Sequence, residues 1–103
     1  MSDPMKIRAT VSGEKVDVKV LIAHEMETGF RKDAAGALVP AHYIQMVTAQ
    51  CNNKTVLSMQ WGPSVSKNPF LAFRFSGAKQ GDKISITWWD NLGETRTDEA
   101  AIA

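Results

Sequence analysis

Cysteine is nearly missing from this chain. Cys51 is the only one in 103 residues, so no internal disulfide can form, and cysteine usage leaves the redox compartment open. An excess of either charge is missing too. Twelve Lys and Arg almost balance eleven Asp and Glu, and the basic residues fall singly or in pairs, without the stripe over which a nucleic acid would release its counterions. Neither nucleic acid nor an anionic membrane is implied. No stretch approaches the ~18 apolar residues of a membrane span, and residues 1–11 lack the apolar run of an export signal. On residues alone, the expectation is a soluble, cytoplasmic chain. There is no phosphate-cradling glycine loop and no nucleophile elbow, and the glycines fall one to a turn.

What is present is a period of two. Side chains on a strand point alternately to opposite faces, and that alternation runs through nearly the whole chain. Met5, Ile7, Ala9 and Val11 alternate with polar residues, and past Gly13 so do Val16, Val18, Val20 and Ile22. Residues 24–40 lose the pattern, carry Gly29 and Gly36 and end at Pro40, which predicts one long connection. A third strand is predicted from about His42 to Cys51. Asn52-Asn53 tolerates the positive φ of a tight hairpin and leads into a fourth strand over Lys54–Gln60. Trp61-Gly62-Pro63 and Asn68-Pro69 bracket a corner. Leu71, Phe73 and Phe75 form the inward row of a fifth strand, Ile84, Ile86 and Trp88 that of a sixth, and Thr95–Ile102 makes a polar seventh. Seven short strands at this spacing predict one all-β domain over 1–103, an immunoglobulin-like antiparallel β-sandwich without the usual cysteine pair.

The strongest local signal is a gap in charge. Of the 33 residues between Asp33 and Lys67 only Lys54 is charged, where the chain-wide 22% would place about seven. The third strand has Ile44, Met46 and Thr48 on one side and Tyr43, Val47, Ala49 and Cys51 on the other, so neither face carries the charge of a wet surface. Two explanations stand. The 24–40 connection covers the outer face, or a second polypeptide does. Interfaces are poor in charge at their centres and rich in aromatics and methionine, and Tyr43, Met46, Met59 and Trp61 suit that description. If Trp88 faces inward with Ile84 and Ile86, Trp89 faces out and needs a cover, while Phe70 opposes the Leu71 row. Arg31-Lys32-Asp33 reads as a solvated loop tip, or as a pair of cations that meets an acidic partner.

Side chains able to do chemistry are few: Cys51, His24, His42 and the acids Glu25, Glu27 and Asp33. His42 and Cys51 at opposite ends of one strand stand roughly 30 Å apart, too far for a base and its nucleophile. His24 and His42 flank the long connection and can approach one another, but two histidines with a nearby carboxylate make a thin case for metal, and no cofactor is expected.

Longer motifs carry a resemblance. His24-Glu25-Met26-Glu27-Thr28-Gly29-Phe30-Arg31-Lys32-Asp33 is followed by Pro40-Ala41-His42, then by Gln60-Trp61-Gly62-Pro63-Ser64-Val65-Ser66-Lys67-Asn68-Pro69, then by Trp89-Asp90-Asn91-Leu92-Gly93-Glu94-Thr95-Arg96-Thr97-Asp98-Glu99-Ala100. From about Met5 onward the chain resembles SoxZ, the smaller subunit of the SoxYZ sulfur carrier of thiosulfate oxidation. The resemblance implies an immunoglobulin-like sandwich and a non-catalytic role in a heterodimer with SoxY. There a cysteine on a glycine-rich C-terminal arm of SoxY carries the sulfur intermediates past the other Sox enzymes. It also implies a periplasmic home, reached by co-export with a partner that bears a twin-arginine signal. Two positions depart from the pattern: Glu25 stands where proline is expected, and Cys51 where a cysteine is unusual. A stand-alone binding module, with Trp61, Trp89 and Tyr43 as a platform for a sugar or peptide, is the alternative.

Overall fold

Each alternating segment becomes a strand, and β2 and β6 bury the row of side chains that the period of two selects. The computed structural model describes residues 3–103 and contains β1 (Lys6–Ser12), β2 (Lys15–Leu21), β3 (Ile44–Cys51), β4 (Lys54–Gln60), β5 (Phe70–Ser76), β6 (Lys83–Asp90) and β7 (Thr95–Ala101). They form two antiparallel sheets, one ordered β1-β2-β5 and the other β4-β3-β6-β7. The sheets face each other across Val16, Val18, Val20, Val47, Ala49, Ile84, Ile86 and Trp88, all buried. This is the expected immunoglobulin-like sandwich. The β3–β4 hairpin turns at Asn52 and Asn53, at φ values of 53° and 63°, as a tight two-residue hairpin requires.

On one flank of the sandwich Ala103 pairs with the outer edge of β1. Val11 N–H donates to Ala103 O and Ala103 N–H to Ala9 O, each at 2.9 Å, while Ile102 is buried below them. On the other flank β4 and β5 are edge strands, each paired on one side only, and Leu57, Phe73 and Phe75 are left half-buried.

Residues 22–43 run between the sheets' ends without forming a strand, tied by isolated bridges Glu27–His42 and Lys32–Leu38. Gly29 lies between the two bridges, opposite Ala41. Its φ is +90°, and a β-carbon there would sit 3.1 Å from that of Ala41.

β3 departs from the predicted parity. Ile44 pairs with Asp90 and Met46 with Trp89, so Gln45 is an extra residue, a β-bulge. Ahead of the bulge the two faces exchange. Ile44, expected beside Met46, is wholly buried, and Tyr43, expected beside Val47, lies with Met46 instead. The sixth strand follows its pattern, with Trp88 buried and Trp89 40% exposed.

Candidate functional site: an uncharged groove and the polar node behind it

The bulge builds a groove. Tyr43, Gln45, Met46, Gln60, Trp61, Gly62 and Trp89 line a shallow concavity of about 570 Å³ on the outer face of the four-stranded sheet, with no charged side chain among them. Met46 pairs with Gln60 on one side and with Trp89 on the other, which places the three abreast across β4, β3 and β6. Trp61 N–H donates to Gln45 O at 2.9 Å, so the bulged residue also fixes where the second tryptophan leaves β4. None of residues 24–40 lines the groove, so the long connection does not cover it.

Four of the seven residues singled out from sequence therefore meet here: Tyr43, Met46, Trp61 and Trp89. Met59 does not. It pairs with Val47, a fully buried residue, and packs against the core from the opposite face of β4. Met59, expected from its composition at a partner-binding surface, is thus set apart from Met46 and Gln60, since neighbours along a strand point to opposite sides. Arg31 and Lys32 sit on the exposed excursion of the long connection, where the Arg31 guanidinium holds the Glu27 carboxylate at 2.8 Å and keeps its pKa below the usual value.

Behind the groove lies a node that motif reading missed. Asp90 shares the inward parity of Ile84, Ile86 and Trp88, so alternation alone sends a carboxylate into the core. Burial there raises its pKa, but hydrogen bonds from His24, the Glu94 N–H, His42 and the Leu92 N–H outweigh burial and leave it below the usual 3.8. His24 Nε2 donates to Asp90 Oδ2 at 3.1 Å and His42 Nε2 to the same oxygen at 2.8 Å, and the two imidazoles stand edge to face with centroids 4.5 Å apart. Asn91, next in line, accepts from Tyr43 N–H at 2.8 Å through Oδ1 and donates to Ala41 O at 2.9 Å through Nδ2. The node thus clamps residues 41–43 against the end of β6 and so holds Tyr43 at the groove's edge.

His24, His42 and Asp90 offer donor atoms within 4.8 Å of one another, a spacing compatible with a divalent ion. The tautomer of His24 opposes that use. Met26 N–H donates to His24 Nδ1 at 3.0 Å, which takes the lone pair there and puts the proton on Nε2, the atom a metal would need. As arranged, the three side chains form a hydrogen-bonded clasp. Cys51, at the far end of β3, is buried, and desolvation followed by the nearby Asp82 charge pushes its thiol pKa up.

A family model, Sulphur oxidation protein SoxZ, matches residues 5–101. No curated protein matches the chain. Among solved structures the fold is similar to that of hypothetical protein PH1083 from Pyrococcus horikoshii OT3, with TM-score 0.67 and 17% identity over 99% of this chain and 89% of that one. It is also similar to a superoxide reductase in the oxidized state, with TM-score 0.63 and 16% identity over 99% and 89%. A third is superoxide reductase (neelaredoxin) from Archaeoglobus fulgidus in the reduced form, with TM-score 0.62 and 16% identity over 97% and 87%. At these identities the likeness is one of fold.

Proposed function

The chain belongs to the SoxZ family of sulphur oxidation proteins, and from that premise we propose that it is the non-catalytic partner subunit of the SoxYZ sulfur carrier, with the uncharged groove as the seat of SoxY. The observation that carries this reading is the groove itself. Two tryptophans, a tyrosine and a methionine are gathered on an outward sheet face with no charged neighbour among the lining residues. Aromatic and methionine side chains so placed gain about 25 cal/mol for each Å² of apolar surface withdrawn from water, and no ionic group has to be desolvated in the process.

The state of the one thiol supports a division of labour. Carrying sulfur by nucleophilic attack needs an accessible thiolate, and Cys51 is buried with a raised pKa. The carrier cysteine belongs to the partner, on its glycine-rich arm, and this subunit holds the body from which that arm swings. Residence in the periplasm by co-export with a signal-bearing partner completes the reading.

The test is titration of the purified cognate carrier subunit into wild-type protein and into Trp89→Lys and Met46→Lys. A buried lysine at either position should weaken the pair by roughly 30-fold or more, as expected for an interface centre. Wild-type affinity in both variants overturns the assignment of this face. Quenching of tryptophan fluorescence by a free sugar or short peptide, with no response to the carrier subunit, supports the stand-alone module instead.

A further inference from the structure

The other sheet presents a face of contrary character. On the three-stranded sheet the outward rows hold Lys6, Arg8, Lys15, Lys19 and Arg74 against a single carboxylate, Asp17, in a chain whose net formal charge is only +1. Asp17 is already committed, since it lies opposite Arg74 and accepts a hydrogen bond from its guanidinium. Among the described residues no carboxylate stands at ion-pair distance from Lys6, Arg8, Lys15 or Lys19.

The register sharpens the point. Arg8 and Lys19 are direct cross-strand partners in β1 and β2, where like charges repel at close range and weaken the sheet. An anion laid across β1 and β2 relieves that repulsion and satisfies both cations together. The surface is dished: Arg8, Thr10, Lys19, Ala72 and Arg74, together with the Arg74-bound Asp17, border a concavity of about 570 Å³. Beside Lys6, at one end of the face, the row Lys6–Leu21–Phe70 exposes two apolar side chains next to each other, Leu21 at 40% and Phe70 at 63%.

We infer that the outer face of the β1-β2-β5 sheet is a second docking surface, which takes an acidic segment of a partner protein with an apolar side chain seated on Leu21 and Phe70. The charges choose an anion, and the apolar end distinguishes an acidic protein from a uniform phosphate backbone. This face shares no residue with the groove and lies on the opposite sheet, so the two can be occupied together and the inference does not depend on the identity of the groove's partner.

The probe is a fluorescently labelled glutamate-rich peptide ending in leucine, titrated into the full chain at low ionic strength and followed by polarization. Arg8→Glu should weaken binding by about 10-fold or more, while its new cross-strand pair with Lys19 keeps the protein melting no lower than wild type. Phe70→Ser should weaken it as well. Lys54→Glu, the same change of charge placed on the other sheet, should leave it nearly unchanged. Equal weakening by Lys54→Glu and Arg8→Glu overturns the proposal, because net charge alone then explains binding. So does an unaffected Phe70→Ser, tighter binding of a short DNA duplex than of the peptide, or no peptide binding by the wild type.

Discussion

The two outer faces of this sandwich come from one rule and end with opposite chemistry. On both, every second residue of a strand points away from the core, yet the three-stranded sheet exposes five cations with one acid while the middle of the four-stranded sheet exposes Met46, Gln60 and Trp89 with no charge at all. The near-neutral total conceals both. Charge balance over a whole chain says little about partners when segregation by sheet does the sorting. An uncharged aromatic groove gains by excluding water, and a basic face gains by neutralising charge, so the two should respond differently to the same perturbation.

The largest effect should come from the clasp behind the groove. Asp90→Ala leaves the groups that donate to Asp90 without their acceptor and should cost roughly 3–5 kcal/mol in chemical unfolding, the range for breaking a buried charged network. Asp90→Asn should cost less. Because the folded pKa of Asp90 lies below 3.8, its contribution is full above the unfolded value and is lost as pH falls through the folded one. The stability gap between wild type and Asp90→Asn should therefore narrow only under acid below about pH 4. If the gap holds constant down to pH 2, the carboxylate charge is not what the clasp uses.

Methionines on the two sides of the groove sheet should separate binding from folding. Met59→Ala, facing the core, is expected to lose about 1–2 kcal/mol of stability, below the range for a fully buried methionine, and to keep its affinity for the carrier subunit. Met46→Ala should do the reverse. Salt should divide the faces next: raising ionic strength from about 0.1 to 1 M shortens the screening length from ~10 to ~3 Å, which should release an acidic peptide from the basic face and leave carrier binding at the groove little changed. The smallest effect is at Arg8, where Arg8→Glu converts a like-charge cross-strand pair into an opposite one and should raise the melting temperature slightly. A fall would mean that Arg8 and Lys19 are not in repulsive contact.

Much of this was legible in the sequence, and the failures share a cause. The seven strands, the hairpin at Asn52-Asn53 and the split of Trp88 inward from Trp89 outward all follow from local alternation and turn chemistry. The bulge at Gln45 does not, because an extra residue is defined only against a partner strand, and β6 begins some forty residues later. Unbroken alternation therefore puts Tyr43 and Ile44 on each other's faces. The clasp was half legible: the parity of Asp90 sends it inward, but its acceptor role rests on His24 and His42, which lie 66 and 48 residues away. Composition groups Met59 with Trp61, and it is the end of β4 that separates them, since Trp61 has already left the strand.

The stitch made by Ala9, Val11 and Ala103 has a consequence for assembly. Ala103 occupies the outer edge of β1 at Ala9 and Val11, so that stretch is closed to a neighbour's backbone, whereas β4, β5 and β7 are each paired on one side only. A neighbour that adds by main-chain pairing is therefore turned away from that stretch of β1 and has to land on one of the other edges.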